Sequence, residues 1–125
     1  MKKGFFAYSS HPQIISETIE DAIVKLNESG LFLIKSWKEL KINGRYIINQ
    51  VVREIENSDF FCADLTGLND NVLFEIGYAI GINKPIILFN DTTQVESFRR
   101  YKELDLFTTI GYSAYTTHPY KKWYQ

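Results

Sequence analysis

The chain has 125 residues, of which 45% are apolar and 15% aromatic, and its 14 basic and 15 acidic side chains leave a formal charge of −1. That length and apolar content suit one domain with its own core, needing neither disulfides nor metals. The balanced charge excludes a net field that gathers a polyanion by counterion release, so nucleic acid is not an expected partner.

Short apolar, β-favouring runs alternate with longer segments of helical period, the pattern of a parallel sheet covered by helices. Gly4 to Tyr8 reads as the first strand. Ser9-Ser10-His11-Pro12 ends it and opens a helix, with Pro in the first turn where its missing N–H is harmless. Ile15, Ile19, Ala22, Ile23 and Leu26 recur at helical spacing, and Gly30 closes the helix. Leu31 to Ile34 is the second strand, followed by a polar loop from Ser36 to Gly44. A second helix carries Ile47, Ile48, Val51, Val52 and Ile55 on its inner side. Phe60 to Ala63 lacks alternation, as a central strand buried on both faces does. Cys62 within it reads as a small buried hydrophobe, and a lone cysteine fits a reducing compartment. Asp64 to Asp70 is a loop, Asn71 to Ile82 a third helix, Pro85 to Phe89 a fourth strand, Val95 to Lys102 a fourth helix and Thr108 to Tyr115 a fifth strand. No stretch approaches the ~20 apolar residues of a membrane span, and the run after Met1-Lys2-Lys3-Gly4 is too short for a signal peptide, so the expected location is cytoplasmic. The tail from Thr116 to Gln125 lacks the period of a last covering helix: either the fold is shortened here, or the single domain, residues 1–125, is cut from a longer chain.

Right-handed crossovers turn this series into an α/β doubly wound parallel sheet of four to five strands, flavodoxin-like, in the order 2-1-3-4-5. The topological switch then lies between the first and third strands. A ligand crevice is expected there, walled by Tyr8-Ser9-Ser10-His11 on one side and residues 64–71 on the other.

The third helix is apolar nearly all round, with Val72, Leu73, Phe74, Ile76, Tyr78, Ala79 and Ile80, and predicts a largely buried element interrupted by Glu75. A carboxylate there costs several kcal/mol to desolvate unless it opens into a polar cavity or finds a partner. The alternative is a Glu on the one solvated face. Asn71 and Tyr78 share its stripe at i−4 and i+3. Gly77 and Gly81 suggest close approach of neighbouring elements. Asp70 or Asn71 is expected to cap the helix, while Asp64 either serves the crevice or turns the loop.

A carboxylate in a small, partly apolar cleft suits departure of a base from a ribose, because it stabilises positive charge developing at the anomeric carbon. It can also attack as a nucleophile. The stretch from Asp64 to Ala79, followed by Lys84-Pro85-Ile86-Ile87-Leu88, resembles the core of the nucleoside 2-deoxyribosyltransferase-like superfamily and of bacterial TIR-like nucleotide-binding domains. In both, a Glu in an Asn-Val-x-Phe-Glu-x-Gly motif is catalytic, which falls on Glu75. Phe5-Phe6-Ala7-Tyr8-Ser9-Ser10 is similar to the opening strand and loop of TIR domains. The chain lacks the Gly-rich opening usual in the transferases, and the Trp-Cys pair that precedes the Glu in better-known TIR domains.

The resemblance implies NAD⁺ hydrolysis to nicotinamide and ADP-ribose in antiphage defence, with NAD⁺ as substrate and no other cofactor. It also implies self-assembly as a dimer or filament, and a fused or associated cyclic-nucleotide sensor. Tyr8, Ser9, Ser10, Trp37, Asp64, Asn69, Asn71 and Tyr78 would bind substrate around Glu75, with Trp37 covering or stacking on it. The alternatives are a 2-deoxyribosyltransferase or nucleoside-monophosphate N-glycosidase, and a non-enzymatic TIR-like assembly module. A phosphoacceptor receiver is set aside because Ala7-Tyr8-Ser9-Ser10 lacks the acidic pair that holds Mg²⁺. His11 and His118 have no cysteine or carboxylate at ligand spacing, so no metal site is expected. Arg45, Arg99 and Arg100 are read as solvated unless they serve phosphates.

Overall fold

A computed structural model describes residues 1–40, 47–93 and 111–117. Five parallel strands form one sheet in the order β2-β1-β3-β4-β5. They are β1 (Lys2–Ala7), β2 (Phe32–Lys35), β3 (Phe60–Asp64), β4 (Ile86–Asp91) and β5 (Ser113–Tyr115). Helices α1 (Gln13–Glu28), α2 (Ile47–Asn57) and α3 (Asp70–Gly81) connect them, and a 3₁₀ turn, Trp37–Glu39, follows β2. This is the doubly wound, flavodoxin-like architecture expected from the alternation of elements. The central pairing sets Phe5 beside Phe61 and Ala7 beside Ala63.

Alternation along the strands divides the core into two layers. On one face Phe6, Tyr8, Ile34 and Cys62 meet Ile15, Ile19 and Ile23 of α1. On the other Phe5, Ala7, Phe61 and Ala63 meet Val51 and Ile55 of α2 and Val72, Ile76 and Ala79 of α3. Successive strand side chains point to opposite faces, so the unbroken apolar runs of β1 and β3 serve both layers at once. Cys62 is buried, and burial pushes its thiol up to about 12, which leaves it an inert part of the core.

Several expectations need correction. Pro12 precedes α1 as its N-cap instead of sitting in the first turn, and Tyr8 lies just past β1. Ala22 and Leu26 are exposed, because a helix against a single sheet needs only the stripe of Ile15, Ile19 and Ile23. The same reason explains α3, where Phe74 is 46% and Ile80 40% exposed although the helix is apolar all round. Gly77 and Gly81 do not mark close approach, since an added Cβ at either would meet nothing within 4 Å. The tight glycines are Gly4, against the Phe60 ring, and Gly67, against the His11 carbonyl. In α2, Val51 and Ile55 are buried, Val52 is half-buried and Ile48 is 48% exposed. The expected fourth helix, the start of the fifth strand, the side chain of Ile47, Arg45, Arg99, Arg100 and the tail beyond Thr117 lie outside the described residues. No helix among the described residues is long and apolar enough to cross a membrane.

Candidate active site

The crevice at the switch point is a cavity of about 310 Å³. The loop after β1 supplies Tyr8 and Ser10, the 3₁₀ turn supplies Trp37, and α2 supplies Ile48 and Val51. The start of α3 closes it with Asn69, Asn71, Val72, Phe74 and Glu75. Sequence reasoning missed the apolar share of this wall. Ile48 looks like part of the α2 core stripe, and its exposure shows that the stripe runs past the core to the mouth of the cavity.

Asn69 ends the loop after β3 in extended conformation, and its side-chain Oδ1 accepts from Val72 N–H at 2.8 Å. It is the helix cap, one position before the residues expected from sequence, and it satisfies one of the amide donors a helix start leaves free. With α3 beginning there, Asn71 and Glu75 stand one turn apart on the same side and both face the cavity.

Glu75 is half-buried, and burial raises its carboxyl from an ordinary 4.5 to about 7. No hydrogen bond or ion pair holds that carboxyl among the described residues. An acid that lines a cavity without a protein partner among the described residues is free to act on whatever enters.

Tyr8 and Trp37 form the aromatic side of the cavity, with ring centroids 6.3 Å apart and planes tilted by 45°. The Tyr8 hydroxyl donates to Glu20 Oε2 at 3.0 Å, and burial, the largest cause, holds its pKa well above the ordinary phenol value. Tyr8 therefore offers the cavity a neutral ring.

The other residues expected around the site fall elsewhere. Ser9 is buried beside the cavity, where its Oγ accepts from His11 N–H and Asn69 Nδ2, both at 3.3 Å. Tyr78 points away, donating its hydroxyl to Glu56 and stacking on Phe74, because one further turn along α3 carries it past the crevice. Asp64 is fully buried in a separate polar cluster under the ends of β3, β4 and β5. It accepts from Thr66 Oγ1 at 2.8 Å, Thr66 N–H at 3.0 Å and the Tyr115 hydroxyl. Burial raises its carboxyl to about 6, the bonds from Tyr115 and Thr66 oppose that, and Asp91 adds to it. Thr66 Oγ1 accepts from Asp91 N–H at 2.8 Å, and Thr117 donates to the Asp91 carboxylate. The loop reading of Asp64 is thus what its contacts display, since it folds Thr66 back in an Asx turn. Among the described residues, no group of three or more His, Cys, Asp or Glu gathers as a metal site.

A sequence model of nucleoside 2-deoxyribosyltransferases matches residues 17–105, from α1 past β4. Among solved structures, the CMP N-glycosidase BcmB of Clostridium botulinum superposes with a TM-score of 0.61 at 21% identity, covering 92% of this chain and 87% of that one. A conserved protein from Enterococcus faecalis superposes with a TM-score of 0.62 at 16% identity, covering 93% and 91%. At such identities these two likenesses attest the shared fold. No curated protein matches the chain.

Proposed function

The chain belongs to the nucleoside 2-deoxyribosyltransferase family, and from that premise we propose that it cleaves the N-glycosidic bond of a nucleoside or nucleoside monophosphate with Glu75 at the anomeric carbon. The observation that carries the reading is the Glu75 carboxyl, desolvated, without a protein partner among the described residues and lining the cavity at the switch of the sheet.

The chemistry follows from that placement. As the bond from C1′ to the base nitrogen lengthens, its electron pair leaves with the base and positive charge builds on C1′ and the ring oxygen. Ionised Glu75 beside C1′ opposes that charge in a site of low dielectric, and one of its oxygens can close on C1′ to give a glycosyl ester. Water attacking the ester regenerates the carboxylate and yields the free sugar; a second base attacking instead yields a new nucleoside. The proton required by the departing base comes from solvent. Asn71, one turn before Glu75, is placed to hydrogen-bond a sugar hydroxyl, and the half-buried Trp37 ring, with the buried Tyr8 ring beside it, offers a face on which a base can stack.

Size supports the substrate class. Ligand pockets run from roughly 300 to 1,000 Å³, and about 310 Å³ sits at the small end. One nucleoside unit fits that volume. BcmB, which shares the fold, is a CMP N-glycosidase, and CMP is a nucleoside monophosphate.

The test is base release, followed by chromatography, from a panel of deoxynucleosides, ribonucleosides, their monophosphates and NAD⁺, with and without a second free base. Release from a single-nucleoside substrate is expected, falling about 10³-fold or more in Glu75→Gln as for loss of a nucleophile. Turnover of NAD⁺ alone would overturn the substrate class, and full activity in Glu75→Gln would overturn the role of the carboxylate.

A further inference from the structure

Glu20 lies on α1, outside the cavity, and its carboxylate holds two elements at once. Its Oε2 accepts the Tyr8 hydroxyl at 3.0 Å, and Lys38 Nζ stands astride the carboxylate, 2.9 Å from Oε1 and 2.9 Å from Oε2. Lys38 in turn stands 5.6 Å from the centroid of the Trp37 ring. A capping box fixes the same 3₁₀ turn from below: Ser36 Oγ receives Lys38 N–H, and Ser36 N–H donates to Glu39 Oε2 at 2.7 Å. Both aromatic residues of the cavity wall, on different chain segments, are thus tied to one carboxylate.

We propose that Glu20 is a positioning residue for substrate, clamping buried Tyr8 directly and Trp37 through Lys38 so that the Trp37 ring, set against Tyr8, holds a fixed face for the nucleobase. The proposal rests on the reading that the cavity receives a nucleoside.

Energetics separate this role from a structural one. The Lys38 and Glu20 side chains are 49% and 30% exposed, and ion pairs of that kind add little to global stability. Alanine is a better helix former than glutamate, so α1 keeps its fold without the carboxylate. What the pair does control is the freedom of Trp37, on which a ligand stacks, and of the Tyr8 ring packed against it. A rigid stacking platform acts on binding, and hence on KM, more than on the bond-breaking step at Glu75.

The experiment uses the full chain with Trp123→Phe, which leaves Trp37 as the sole tryptophan. In that background Glu20→Ala is expected to raise acrylamide quenching of Trp37 well above its parent value while the melting temperature holds. Its KM should rise about tenfold, the scale of one lost base-stacking contact, with kcat within about twofold. Glu20→Gln should fall between, because an amide oxygen still accepts from Tyr8 but cannot pair with Lys38. Unchanged quenching together with unchanged KM overturns the proposal, and so does a loss confined to kcat. Absence of turnover in the parent would count against the enzymatic reading alone, since quenching of Trp37 reports on Glu20 without catalysis.

Discussion

Asn69 donates its Nδ2–H to Ser9 Oγ at 3.3 Å and so joins the two lips of the crevice, one after β1 and one after β3. The same side chain caps α3 through its other atom. Asn69→Ala should therefore cost about 1 kcal/mol, the usual loss for a cap, and also lower kcat/KM by loosening the start of the helix that carries Glu75. Asn69→Ser separates the two roles: serine caps comparably but cannot reach as an amide donor. Urea melts of Asn69→Ser should match the parent while its kcat/KM stays reduced; equal activity would show that the link to Ser9 is dispensable.

Glu75 should report on pH in two opposite ways. Its ionised form is the reactive one, so kcat/KM is expected to rise with pH through about 7 and then level off. Stability runs the other way. Below 4.5 the group is protonated folded and unfolded; between 4.5 and about 7 only the unfolded chain gives up its proton, so stability falls as pH rises through that window. With 1.36 kcal/mol per pH unit, the penalty above pH 7 is at most about 3 kcal/mol, reduced by the partial exposure of the side chain. Glu75→Gln should thus be more stable than the parent at pH 8 by up to that amount, and equal to it near pH 4. A glutamine variant whose advantage over the parent is no larger at pH 8 than at pH 4 would mean the carboxylate is solvated.

Tyr115 tests the second buried acid. Its hydroxyl opposes the burial penalty on Asp64, so Tyr115→Phe should push that carboxyl above its present value of about 6. A raised carboxyl favours the protonated fold: the penalty is absent below 3.8 and grows as pH rises through the folded value. Removing the bond extends that loss to higher pH. Thermal melts of Tyr115→Phe should show a loss of about 1–3 kcal/mol at pH 8 and less at pH 5; a pH-independent loss would point to packing alone.

Gly67 and Gly30 both have positive φ, +60° and +77°, yet they should differ on substitution. An added Cβ at Gly30 meets open space, whereas at Gly67 it comes within 2.8 Å of the His11 carbonyl oxygen. Gly30→Ala should cost about 1 kcal/mol, the left-handed penalty, and leave activity intact. At Gly67 the strain and the clash together should cost about 1–3 kcal/mol and reduce activity, because the β1 and β3 loops must part. Equal denaturation midpoints for the two variants would remove the clash from the account.

Much of this molecule is legible without coordinates. The apolar runs of β1 and β3 are long enough to serve two faces, and the helical spacings between strands dictate crossovers, so the strand order and the position of the crevice follow from local pattern and chain handedness. Glu75 stands out for the same reason: a charge inside an apolar helix is costly wherever that helix packs.

What the sequence leaves open is which stripe of a uniformly apolar helix meets the sheet, because hydrophobicity is non-directional and α3 offers it on every side. Only packing decides that Val72, Ile76 and Ala79 turn inward, that Asn71 and Glu75 face the cavity, and that Tyr78 turns to Glu56. Asp64 is the same lesson for polar groups. Its neighbours in sequence point to the crevice, but its hydrogen bonds are completed by Tyr115, 51 residues away, and a buried carboxyl goes where its donors are.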